Sequence, residues 1–278
     1  MGGRRCGELV PRRPLSICRR NQGLNHRPWG VALSQLREEF RDRIVSILDR
    51  IVADENGAMD RARDVVATAL EANRLVYVAG SGHSHILAEE VYYRAGGIAA
   101  AQAVLDPNLM LHTGARRSTL LERVEGYAEV ILSDYPIGRG DVIFVASNSG
   151  RNAYPIELAL IGKERGATTI AITSLEHSRK TSSRHTTGKR LFEVADIVID
   201  NFGAYGDAAM QIPGRIERMG PTSTIAGVFI LNAIMAEAVA QLAGRGVMVD
   251  VYKSANMQGQ EAAAEAMIKR WQSRIKGL

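Results

Sequence analysis

The sequence predicts an α/β fold, a three-layer αβα sandwich around a five-stranded parallel sheet, with extra helices at both ends. Short apolar runs at Leu75–Ala79, Ile98–Leu105, Val142–Ala146, Thr168–Thr173 and Ile197–Ile199 alternate with helical stretches, the signature of strands joined by right-handed crossovers. These runs are apolar along their length, as strands buried on both faces are. Four of them end in turns of small polar residues: Gly80-Ser81-Gly82-His83-Ser84, Ser147-Asn148-Ser149-Gly150, Thr173-Ser174 and Asp200-Asn201. Open parallel sheets bind ligands beyond the carboxyl ends of their strands, so the turns mark one crevice.

Two helices precede the sheet. Leu33, Leu36, Phe40, Ile44, Ile47, Leu48 and Ile51 recur at helical spacing, and Val65, Val66, Ala69 and Leu70 resume it after a break near Asn56-Gly57. Residues 223–243 form a long, nearly uncharged helix, and 257–275 an amphipathic one with a basic end.

A chain of 278 residues, 46% hydrophobic, buries a sizeable core. Its net charge of +5 is concentrated at one end: Arg4, Arg5, Arg12, Arg13, Arg19, Arg20 and Arg27 face only Glu8 within residues 1–30, giving that segment +6 and the remainder −1. Residues 1–30 read as a disordered basic arm, and 31–278 as a single domain. Without a distributed basic surface, nucleic acid is not an expected partner. A membrane is not expected either, because no run reaches the roughly 18 uninterrupted apolar residues of a span. Cys6 and Cys18 both fall in the arm, which gives no disulfide framework or metal cluster and fits a reducing cytoplasm.

Ser81, His83 and Ser84 stand in a glycine-rich turn between a strand and a helix starting near Ile86. Backbone N–H groups and hydroxyls at such a place suit a phosphate; a tight turn that binds nothing is the other reading. A dinucleotide fingerprint fits poorly, since His85 stands where the third glycine belongs. Ser147, Asn148, Ser149 and Arg151 form a second turn of the same kind, and two such turns on neighbouring strands are more specific than either alone. Thr222 and Ser223, in Gly220-Pro221-Thr222-Ser223-Thr224, serve either as a helix cap or as sugar ligands. The loop Thr181–Arg190 is an anion-binding lid through Arg184 or Lys189, or a solvated loop.

The paired turns resemble the SIS (sugar isomerase) family of phosphosugar isomerases and binding domains, including phosphoheptose isomerase, over about residues 35–245. The resemblance implies a flavodoxin-like sheet and places the sugar phosphate on Ser84, Ser147, Asn148 and Ser149. Ser149-Gly150-Arg151-Asn152-Ala153-Tyr154-Pro155-Ile156 and Ala226-Gly227-Val228-Phe229-Ile230-Leu231-Asn232 are similar to segments of N-acetylmuramic acid 6-phosphate etherases, and the whole chain looks like uncharacterised bacterial SIS proteins near them. That likeness implies an amino sugar with an N-acetylated C2. Ala88-Glu89-Glu90-Val91 resembles a phosphoheptose isomerase motif whose second glutamate is an acid/base, which points to Glu90.

The isomerases' histidine is missing from Ile225–Met235, so His83, His85 and His112 become candidate bases, and Glu122, which with Glu125 follows His112 on one helix face, is a further catalytic candidate. The expected activity is C2 proton removal from an amino-sugar 6-phosphate followed by elimination, with aldose–ketose isomerisation and non-catalytic sensing as alternatives. Such chemistry needs no metal, nicotinamide or other cofactor. The apolar circumference of 223–243 implies a homodimer or dimer of dimers.

Overall fold

The computed structural model describes residues 33–254, 258–259 and 261–278. The basic arm and both cysteines lie outside the described residues. Helices α1 (Leu33–Asp54) and α2 (Asn56–Glu71) lead into β1 (Val76–Gly80), α3 (His85–Val91) and β2 (Ala101–Val104). There follow α4 (Leu111–Leu121), α5 (Tyr127–Leu132), β3 (Val142–Ala146), α6 (Ala153–Glu164), β4 (Thr168–Thr173), α7 (Leu175–Arg179), α8 (Leu191–Val194) and β5 (Ile197–Asp200). A hairpin, β6 (Ala208–Gln211) and β7 (Arg218–Pro221), precedes α9 (Ser223–Gly244) and α10 (Glu261–Trp271).

All five expected strands form one parallel sheet in the order β2-β1-β3-β4-β5. The flavodoxin-like order has its topological switch between β1 and β3, where crossovers leave toward opposite faces. In this register Gly80 stands beside Ala146, so the two predicted hydroxyl turns leave the sheet at one level. At the other end, buried Asp141 accepts the Leu75 N–H at 3.0 Å and the Gly138 N–H at 2.9 Å, holding the start of β1 against the approach to β3.

Strand periodicity divides the core in two. Val76, Val78, Val142, Phe144, Ile170 and Ile172 point to the layer of α1, α2, α3 and α9, while Tyr77, Ala79, Ile143, Val145 and Ala171 point to the layer of α5, α6 and α10. Phe144 and Ile143 are fully buried, and side chains of this kind contribute about 1.5–3 kcal/mol each by leaving water. By length and composition α9 is apolar enough to cross a membrane, which the count of uninterrupted apolar residues missed. Here it is a core helix, with Ala226, Ile230, Leu231 and Ile234 buried against α2 and α3.

The hairpin β6–β7 was not anticipated, because four-residue strands carry too little pattern. The C-terminal helix is shorter than its amphipathic stretch. It is anchored by Trp271, whose indole Nε1 donates to Asp250 at 2.9 Å.

The turn after β1 folds back so tightly that a Cβ at Gly80 would lie 2.5 Å from the Ser84 carbonyl oxygen. Gly80→Ala is therefore expected to cost roughly 1–3 kcal/mol through overpacking, read as a lower thermal midpoint. An unchanged midpoint would mean that the turn opens freely.

Candidate functional site

The crevice lies at the switch point and is lined by Ser84, Leu87, Ala146, Ser147, Asn148, Ile172, Asn201, Ser223 and Thr224. Its second turn is fixed from below. Thr173 Oγ1 donates to the Ser147 carbonyl at 2.7 Å, Ser174 N donates to the Asn148 carbonyl at 3.1 Å, and Asn201 Nδ2 donates to Asn148 Oδ1 at 3.1 Å. Gly150 turns the chain with φ +57°, a left-handed conformation that glycine adopts without strain. Within this scaffold Ser149 is half-buried, and its hydroxyl makes no hydrogen bond among the described residues. The turns after β4 and β5 therefore converge on the site as supports for Asn148, while the turns after β1 and β3 present the hydroxyls.

Glu122 stands beside the crevice turns. Its Oε2 accepts the Ser81 hydroxyl at 2.7 Å and its Oε1 accepts Asn152 Nδ2 at 2.8 Å. Asn152 Oδ1 in turn accepts Arg184 Nη1 at 2.9 Å. Burial pushes the Glu122 carboxyl above the ordinary carboxylate range, offset in part by the Ser81 hydrogen bond and then by Arg123 and Arg184. Partial burial, then Arg151 and Arg123, hold Arg184 below the usual guanidinium value. Two arginines, Arg123 and Arg184, thus stand by one carboxylate, with Arg151 beside Arg184, in a body whose overall charge is close to zero. Such a cluster attracts an anion, and a carboxylate with raised proton affinity can take and return a proton.

Several expected ligands sit otherwise. Ser81 is engaged by Glu122. Thr222 and Ser223 are held by Asp207: Oδ1 accepts Thr222 N at 3.1 Å and Ser223 N at 2.9 Å, and Oδ2 accepts Ser223 Oγ at 2.5 Å. The cap of α9 is therefore Asp207, while Thr222 makes no side-chain cap of its own. An anion already occupies the helix end where phosphate would go. Arg151 reaches Ser182 at 3.3 Å.

The acid/base candidates separate as well. Helical spacing turns Glu90 toward α9, where its Oε2 accepts Arg94 Nη1 at 2.6 Å and its Oε1 accepts Asn232 Nδ2 at 3.2 Å, away from the crevice of this chain. His85 is 1% exposed, and burial pushes it down to about 4, so it is a poor base at neutral pH. Together with His83, His112 and Glu89 it lines a second cavity of about 250 Å³. His112 lies in the first turn of α4 rather than in a loop, and Glu122 and Glu125 follow that helix instead of riding on it. Asp207 and Asn152 were missed. Asp207 follows Tyr205-Gly206, a turn-like dipeptide, but its cap acts across 15 residues and leaves no local pattern.

The fold and the crevice define a SIS-domain protein, and residues 39–174 match the family model described as SIS domain. The chain belongs to the UPF0309 family of SIS-domain proteins. It is 38% identical over 239 residues to a UPF0309 protein of Shouchella clausii, covering 86% of this chain and 97% of that one. A UPF0309 protein of Geobacillus sp. is 41% identical over 238 residues, covering 86% and 96%. A phosphoheptose isomerase from Francisella tularensis shares the fold with a TM-score of 0.50 at 12% identity, covering 75% of this chain and 98% of that one.

Because Glu122 is raised above the value of about 4.3 of an unfolded glutamate, the folded state binds its proton more tightly. Its ionisation therefore costs stability as pH rises from the unfolded value through the folded one. Glu122→Gln is expected to be at least as stable as the parent at pH 7, with the difference vanishing at pH 4. A variant weaker than the parent at pH 7 but not at pH 4, in paired thermal scans, would refute the assignment.

Proposed function

We propose that this protein binds an amino-sugar 6-phosphate and removes its C2 proton, with Glu122 as the base and an elimination as the outcome. The observation that carries this reading is the half-buried Glu122 carboxylate, raised in proton affinity, beside two turns that offer the Ser84, Ser147 and Ser149 hydroxyls. In the open-chain sugar, C2–H is acidic because it adjoins the C1 aldehyde. Glu122 takes this proton, the C–H electron pair forms the C2–C3 double bond as the C3–O bond breaks, and the departing hydroxyl leaves as water with the proton that Glu122 gives back. The phosphate rests on Ser84, Ser149 and the turn amides, and Arg151 and Arg184 hold negative charge near the reacting end.

The isomerase reading takes an aldose phosphate with a hydroxyl on C2, keeps the first step and returns the proton to C1, so that the C2 hydroxyl becomes the ketone. It draws support from the fold shared with a phosphoheptose isomerase. The two readings divide on one experiment, in which N-acetylglucosamine 6-phosphate and a 2-hydroxy aldose 6-phosphate are each incubated with the protein in D2O. Elimination gives a product lighter by one water; isomerisation gives an isomer carrying deuterium. Glu122→Gln should slow either reaction by about 10²–10⁴, and Ser84→Ala and Ser149→Ala should each weaken sugar-phosphate binding by roughly 1–3 kcal/mol. Full affinity in both serine variants would remove phosphate from the crevice, and binding with no exchange at C2 would favour a sensor.

The crevice of one chain has a free volume of only about 10 Å³, room for a single water-sized group. A sugar ring must therefore lie across its mouth, where a second subunit can cover it. Exposed Ile225 and half-buried Val228, Phe229 and Val239 on α9 give such a partner an apolar surface. Light scattering should report a dimer or dimer of dimers, and a monomer of 30.3 kDa that still binds sugar phosphate would overturn the shared site.

A further inference from the structure

Beside the crevice, three elements bring ionisable groups together that the proposed reaction does not use. Glu125 lies in the turn after α4, Glu157 on α6, and His185 in the loop between α7 and α8. Their ligand atoms all lie within 4.8 Å of one another. His185 Nε2 is 3.6 Å from Glu157 Oε1 and 3.9 Å from Glu125 Oε2, and the His185 side chain is only 9% exposed. Both distances exceed a hydrogen bond, so Nε2, on a side chain nine-tenths buried, lies between two carboxylates without a hydrogen-bond partner among the described residues. Neither carboxylate meets a lysine or arginine in an ion pair among the described residues.

The surrounding contacts hold all three groups in place. Glu157 is 8% exposed, and its oxygens accept the Gly126 N–H at 2.7 Å and the Ala128 N–H at 3.4 Å. Glu125 accepts Thr186 N and Thr186 Oγ1, each at 2.8 Å. His185 Nδ1 lies 2.9 Å from Thr187 Oγ1 and accepts the Thr187 N–H at 3.3 Å. The Thr187 N–H bond leaves the ring proton on Nε2, between the carboxylates; a bound metal would move it to Nδ1, where the Thr187 hydroxyl at 2.9 Å can accept it, and so free the Nε2 lone pair.

We propose that Glu125, Glu157 and His185 form a binding site for a divalent transition metal of the zinc class, tying loop 181–190 to the turn after α4 and to α6. One neutral imidazole and two carboxylates supply a charge of −2, matching a divalent cation. Bonds of about 2.0–2.2 Å in tetrahedral geometry place ligand atoms about 3.4 Å apart, so the two histidine–carboxylate spacings need a few tenths of an ångström of closure, and the two carboxylates, within 4.8 Å of each other, close by about an ångström, with water as the fourth ligand. Magnesium is a poorer match, since it prefers six oxygens. The metal has no part in the proton transfer proposed above. It fixes His185, whose neighbour Arg184 meets Asn152 beside Glu122.

The test uses the full chain, stripped with EDTA and titrated with Zn²⁺ against a chromophoric chelator. We expect one zinc per chain, at least about tenfold weaker binding in His185→Ala and in Glu125→Gln, and no change in Glu265→Gln on exposed α10. Co²⁺ should give the visible bands of a tetrahedral site, and Zn²⁺, unlike Mg²⁺, should slow tryptic cleavage after Arg184 and Lys189. Equal zinc affinity in the parent and both site variants, or none in the parent, would reduce the cluster to a histidine–carboxylate contact. Zinc binding that leaves trypsin cleavage unaltered would overturn the tie between loop and body.

Discussion

The side-by-side ends of β1 and β3 decide where everything else stands. Parallel pairing sets Gly80 beside Ala146, and Asp141 secures the opposite ends through the Leu75 and Gly138 amides. A shift of one residue between these strands would turn the side chains of one of them to the wrong faces. It would also part the two hydroxyl turns. The polar site is thus held by the apolar sheet, whose two-sided burial permits only one register.

Around that fixed point the chain arranges two kinds of polar residue. Thr173 Oγ1, the Ser174 backbone N–H and Asn201 Nδ2 all donate to the second turn itself, holding it open and shaped. Ser149 keeps its hydroxyl free, and Glu122 keeps a carboxylate whose ionisation the protein resists. Support residues and acting residues are the same amino-acid types, so only the bond partners tell them apart.

That distinction also explains how much the sequence reveals. Strands β3 and β4 were legible to the residue, because apolar runs bounded by glycine and polar turns carry their own limits. The two hydroxyl turns were legible for the same reason. Glu122 was legible only as one of several acid/base candidates, since its partner Ser81 lies 41 residues away. Glu90 attracted attention through a local motif, yet helical phase turns it to Asn232. Thr222 and Ser223 looked like ligands because the carboxylate that engages them comes from a turn before a hairpin that the sequence did not announce. Local pattern shows which groups are present; tertiary pairing decides which remain available.

Asp207 gives the α9 terminus a built-in counter-ion. Because the positive end of that helix is neutralised within the chain, it stays ordered whether or not a ligand is present, and ligand binding spends none of its free energy on arranging it. The same carboxylate repels a second anion from that side, so in the proposed reading the turns after β1 and β3 are left as the resting place for the phosphate. On that reading the protein orients its ligand partly by occupying one berth itself.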